Sequence, residues 1–124
     1  MKKIKISLLF ITLACLSTLA LENTSSKVYM IAEIKILNNE LYVQYVEKVP
    51  KIVKKYGGRY LVRGGKITPM SGDWDPEKII IIEFENIEQL KECFNSPEYL
   101  AVAPLRERST IGKSIIVESP VESH

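Results

Sequence analysis

Glu33, Glu83, Arg59, Arg63, Tyr99 and Arg106 are the residues of this chain whose types suit chemistry on a small organic molecule. A glutamate desolvated beside a cavity can take a proton from an enolisable substrate, while a guanidinium binds a carboxylate through its planar fork. Glu33 and Glu83 are therefore the candidate catalytic bases, and Arg63, Arg59, Trp74, Tyr99 and Arg106 the candidate ligand-binding residues. A structural role stands beside the chemical one. Arg63 and a glutamate can equally pair across strands or across a subunit boundary, because buried charges persist in pairs. Strand register decides between these roles, since a slip of one residue puts Arg63 and Glu83 on opposite faces of a sheet.

Other chemistries lack their residues. His124, the last residue, is the only histidine, so nothing supports a nucleophile with a histidine base, a histidine metal cage or a histidine-ligated haem. No Gly-x-Ser-x-Gly pattern occurs, and Gly65-Lys66 lacks both the earlier glycine and the following hydroxyl of a phosphate loop. Asp73 and Asp75 flank Trp74 without the glycine and distal glutamate that complete a calcium loop. No cofactor and no metal is expected. Trp74 itself either lines a pocket mouth or anchors its long loop to a sheet edge.

The positioning elements begin after a leader. Lys2, Lys3 and Lys5 precede an uncharged run from Ile6 to Leu21, with Thr18 and Ala20 placed for a signal-peptidase cut. That run is shorter than the roughly 20 residues of a membrane span. Residues 1–20 are read as a secretory signal and 21–27 as a polar linker, giving an exported, periplasmic or secreted protein with no span after cleavage. Thr12-Leu13-Ala14-Cys15 also resembles a lipoprotein box, which would lipidate Cys15. Three of the 17 basic residues leave with the leader and none of the 15 acids does, so the balance of +2 becomes −1. A domain with that charge lacks the clustered positive field that sequence-independent phosphate binding needs, so nucleic acid is not expected as a partner. An RNA-binding sheet is disfavoured further because no paired aromatics mark the strand positions it would use. Cys93 is left as the single cysteine, a small buried residue of a helix or else an intermolecular or reactive thiol.

Val28 to Ile36 alternates with Met30, Ala32, Ile34 and Ile36 on one face, a first strand. Asn38 caps a helix carrying an apolar stripe from Leu41 to Tyr56, which Pro50 is expected to kink or divide. Gly57 and Gly58 end it, Arg59–Arg63 is a second strand, and residues 64–77 form a loop. Lys78–Glu85, with four consecutive isoleucines, is a third strand buried on both faces. Asn86 with Gln89 starts a helix through Phe94, and Ser96-Pro97-Glu98 starts another toward Arg108, with a possible restart at Pro104. Gly112 breaks that helix, Ser114–Glu118 is the last strand, and 119–124 is a tail. The order is the ferredoxin-like βαββαβ sandwich, an α+β fold over residues 28–118 in which a four-stranded antiparallel sheet has helices on one face. The other face needs a cover, and a second copy packed sheet to sheet supplies it, so a homodimer is expected.

Tyr56-Gly57-Gly58-Arg59-Tyr60-Leu61-Val62-Arg63-Gly64-Gly65, Gly72-Asp73-Trp74, Ile82-Glu83-Phe84, Ser96-Pro97-Glu98-Tyr99 and Leu105-Arg106 together resemble the domain of unknown function 1330 family. The resemblance covers about residues 28 to 118. It implies a branch of the dimeric α/β-barrel superfamily, whose relatives include small monooxygenases, lactone isomerases and haem-degrading enzymes. The family brings no settled reaction, and function taken from fold is analogy. Family members often open the first helix with aspartate where this chain has Asn38 and Asn39, and most lack an export signal. The expected function is binding of a small carboxylate-type ligand between sheet and loops with cofactor-independent acid/base chemistry, the alternative being a non-enzymatic dimerisation or binding module of the cell envelope.

Overall fold

In a computed structural model the chain is described over residues 26–120. The expected export signal, residues 21–25 of the linker, Cys15 and residues 121–124 of the tail lie outside that range. Within it the elements run β1 (Val28–Ile36), α1 (Asn39–Lys55), β2 (Arg59–Arg63), β3 (Lys78–Phe84), α2 (Ile87–Phe94), α3 (Pro97–Ser109) and β4 (Thr110–Glu118). The strands form one antiparallel sheet in the order β2-β3-β1-β4. This is the ferredoxin-like arrangement, with its second crossover made of two helices.

Each helix starts where a side chain replaces a missing backbone partner. The Asn38, Asn86 and Ser96 side chains accept from the amides of Leu41, Gln89 and Tyr99. Helices α1 and α3 pack against one another over the sheet, and the core between the layers joins Val28, Ala32 and Ile34 to Ile80, Ile82 and Phe84, with Val49, Val53, Leu90, Cys93 and Val102 from the helices. Phe84 is fully buried and meets Phe94 edge to face, with ring centroids 6.0 Å apart. Cys93 is the buried small residue expected of it, and burial pushes its thiol up to about 11.

Two expectations about helix integrity fail. Pro50 neither divides α1 nor ends it, and Pro104 does not restart α3. Each proline removes one bond, to the carbonyls of Val46 and Leu100, and both of those residues are exposed, so water can take the freed acceptor. Packing on the apolar stripe holds each helix together across the gap. Glu98 also clasps the two helices, accepting from Lys55 and, at 2.9 Å, from the Tyr56 hydroxyl. The Lys55 ammonium, with help from Tyr56, holds the Glu98 carboxyl down to about 2.

Gly112 is the third correction. It lies inside β4, which starts at Thr110 instead of Ser114. A side chain there would run into the Glu33 carbonyl of β1, so glycine marks a close approach of two backbones and not the end of a helix. Helix α3 stops at Ser109, whose carbonyl accepts the amides of Leu37 and Asn38 at 2.7 and 3.1 Å. The start of α1 is thereby pinned beside the end of α3.

Candidate functional site

Strand alternation gives the sheet two chemically separate faces, and a bulge decides what β2 contributes to each. Arg59 is opposite Glu83 and Tyr60 opposite Ile82, but Val62 is opposite Ile81 and Arg63 opposite Ile80, so Leu61 is the extra residue. Tyr60 and Arg63 therefore share the helix-facing side with Ile80 and Ile82. Arg59 and Val62 point the other way. A regular strand would have put Arg59 and Arg63 together.

Between this helix-facing side and helices α1 and α3 lies a cavity of about 920 Å³, within the range of small-molecule sites. Its apolar wall includes Met30, Ile34, Ile80, Ile82, Phe94 and Ile116. Tyr42, Tyr45, Tyr60, Tyr99, Arg63, Lys78 and Arg106 bring polar groups, and the Glu107 carboxylate, Thr110 and Ser114 also line the cavity. Tyr42 and Tyr45 sit three residues apart on one face of α1, and Tyr99 and Arg106 two turns apart on α3. The Tyr45 and Tyr99 hydroxyls lie 3.0 Å apart, and Arg106 Nε donates to the Tyr99 oxygen at 3.1 Å. Ser96 sets this cluster from below. Its hydroxyl accepts from the Tyr99 amide at 3.1 Å and donates to the Cys93 carbonyl at 2.7 Å.

Burial, reinforced by Tyr99, raises the Tyr45 phenol far above its ordinary value, so it is a donor and not a base at neutral pH. Burial also raises Tyr60, to about 12, against the opposing charge of Arg63. The Arg106 guanidinium loses some basicity to burial but gains more from Tyr99 and Tyr45, so it remains charged. The cluster thus keeps one phenol O–H and the terminal N–H groups of Arg106 without a hydrogen bond inside it, at the wall of an apolar chamber.

The residues singled out in sequence divide between the two faces. Tyr99, Arg106 and Arg63 belong to the cavity. Glu83 does not face it: on the outer face it pairs with Arg59 at 2.9 Å and with Lys27 at 3.8 Å. Glu33 and Lys113 border the cavity, yet their register turns both side chains to the outer face, where they lie 3.9 Å apart. There Glu33 accepts from Trp74 Nε1 at 3.1 Å, which ties the long loop to the sheet. Glu33, Arg63 and Glu83 accordingly do not converge. Lys78 was missed as a site residue although the alternation of β3 places it on the side of Ile80, Ile82 and Phe84. Tyr45, on the apolar stripe of α1, brings its hydroxyl into the cavity cluster. Among the described residues no group of three histidine, cysteine or acidic side chains is placed to hold a metal ion, and no helix is long and apolar enough to cross a membrane.

Solved structures share this architecture. A protein of unknown function from Rhodopseudomonas palustris superposes with a TM-score of 0.66 at 14% identity, covering 80% of this chain and 85% of that one. SnoaB, a cofactor-independent oxygenase from Streptomyces nogalater, gives 0.59 at 9% identity, covering 79% and 97%. A hypothetical Arabidopsis thaliana protein gives 0.55 at 15% identity, covering 82% and 92%. At these identities the likeness is one of fold. A comparison with curated proteins finds no match. The family model described as Domain of unknown function (DUF1330) matches residues 27–120, spanning every strand and helix above, and the chain belongs to that family.

Proposed function

We propose that this protein binds a small organic anion in the chamber between sheet and helices, with Arg106, Tyr99 and Tyr45 holding an acidic or enolic oxygen. One observation carries this: Arg106 turns its Nε onto a cavity phenol, while its nearest carboxylate, Glu107, is 3.8 Å away and largely exposed. A partly buried guanidinium without a buried carboxylate has donors left for a ligand. The chemistry such a set supports is stabilisation of negative charge on a substrate oxygen by fixed donors. Glu33 and Glu83 face away from it, so they are not the bases of this reading. The fold is shared with SnoaB, a cofactor-independent oxygenase, and a reading without a cofactor is in keeping with that.

Thermal-shift titration of the purified full chain with small carboxylates and enolisable keto acids tests the reading. At least one class is expected to raise Tm, with Arg106→Gln weakening the response about tenfold, the worth of one charge-assisted hydrogen bond. A flat response across the whole panel would rule the reading out.

The outer face is proposed to bind a second copy of the chain. Ile111, Ile115, Val117 and Leu61 are exposed there, and Val62, Ile81, Ile31 and Ile115 form one apolar row across all four strands. Arg59 with Glu83 flanks the row on one side and Lys113 with Glu33 on the other. An apolar centre with a charged rim is the anatomy of a protein interface.

Export remains part of the proposal, supported by Lys2, Lys3 and Lys5 before the uncharged run. Cell fractionation is expected to recover a shortened chain outside the cytoplasm. Uncut chain confined to the cytoplasm would contradict it.

A further inference from the structure

We infer that the ligand is an elongated dianion, with one carboxylate held between Arg63 and Lys78 and a second acidic oxygen at the Arg106 cluster. This rests on the binding role proposed for the chamber and adds a second anchoring point to it.

The Leu61 bulge places Arg63 on the cavity side opposite Ile80, and Lys78, two residues before Ile80, shares that side. The register makes Arg63 and Lys78 diagonal positions on one face of the sheet, and both line the cavity. Gly64 follows Arg63 directly, and a side chain built at Gly64 would lie 3.4 Å from Lys78 Cε and Nζ. Arg63 Cζ lies 4.6 Å from the Tyr60 ring centroid and Lys78 Nζ 5.2 Å from that of Tyr42, so each rests on an aromatic face.

Among the described residues neither cation has a carboxylate within ion-pair distance. Glu77, the adjacent acid, instead accepts the Ile36 amide at 3.0 Å. Two positive side chains on one cavity wall, without a counter-ion from the protein, have donors free for an anion.

Two tyrosines of α1 line the wall between this pole and the Arg106 pole. Tyr42 borders Lys78 and Tyr45 borders Tyr99, with 6.3 Å between the Tyr42 and Tyr45 ring centroids and 6.3 Å between those of Tyr45 and Tyr99. A compact monoanion can satisfy one pole only. A ligand with an acidic group at each end can satisfy both, its apolar body lying along the tyrosines and Ile80 and Ile82.

Calorimetric titration of the full chain with linear and aromatic dicarboxylates of increasing length, each against its own half-ester, tests this at physiological ionic strength, where surface attraction is screened. At one length the diacid is expected to bind at least about tenfold tighter than its half-ester, from the charge-assisted bonds gained at the second pole. The double variant Arg63→Gln, Lys78→Gln, checked for an unchanged circular dichroism spectrum, is expected to reduce the diacid to the affinity of its half-ester. Equal affinity of diacid and half-ester at every length would overturn the inference while leaving the single-anion reading intact. Binding of neither would overturn both. A diacid advantage that survives the double variant would place the second pole elsewhere and overturn the assignment to Arg63 and Lys78.

Discussion

Gly112→Ala is expected to lower the unfolding free energy by about 3 kcal/mol, at the upper end of what overpacking costs. The added carbon would run into the Glu33 carbonyl, which is backbone of a central strand and has no rotamer to escape into. Relief requires β4 to move off β1, and β1 is its one partner in the sheet. The damage extends to the chamber, because Thr110, Ser114 and Ile116 of β4 line it. Urea unfolding followed by circular dichroism measures the cost. Gly65→Ala is the comparison: a side chain there meets nothing within 4 Å, so the expected loss is only the strain of its φ of 105°, about 1 kcal/mol. A loss at position 112 no larger than that at position 65 would show that β4 is free to shift.

Ile115→Glu is expected to convert the proposed dimer to monomer at micromolar concentration while leaving the fold intact. Ile115 is 61% exposed in the single chain, so a carboxylate there costs little on folding. In a sheet-to-sheet pair it would sit in the apolar row with Ile31, Ile81 and Val62. Twofold symmetry makes the penalty count twice, once for each copy. About 4 kcal/mol for two unpaired buried carboxylates is roughly a thousandfold in Kd. Light scattering on a sizing column reads the mass directly. A dimer that survives the substitution would move the interface away from this face, and a monomeric parent chain would remove it altogether.

What the sequence disclosed and what it withheld have physical causes. Helix starts were legible because Asn38, Asn86 and Ser96 act within three residues of themselves. Pro50 and Pro104 misled because the energy that bridges a lost hydrogen bond comes from packing against distant elements. Gly112 was ambiguous, since glycine serves both to turn a chain and to let backbones touch, and only the neighbour, here Glu33, tells them apart. The order of strands and helices followed from periodicity.

The site was legible by residue type and not by face. Arg63, Tyr99 and Arg106 were recognisable as ligand-binding types, but the side on which Arg63 emerges depends on the bulge at Leu61, and no glycine marks that position. Glu33 and Glu83 were equally plausible as bases until register placed them beside Lys113 and Arg59. Lys78 was readable from the alternation of β3 alone, had its parity with Ile80 been followed.

The Leu61 bulge acts on β2 as a frameshift acts on a message: side chains alternate on both sides of it, but the parity is reversed, so Arg59 and Arg63 emerge on opposite surfaces. Arg59 falls on the face proposed for association and Arg63 on the chamber, although only three residues separate them. On the proposed reading, changes in ligand preference can therefore accumulate at Arg63, Lys78 and the tyrosines without rewriting the surface centred on Ile31 and Ile81. Such a partition would let one proposed assembly carry different ligand preferences in different descendants.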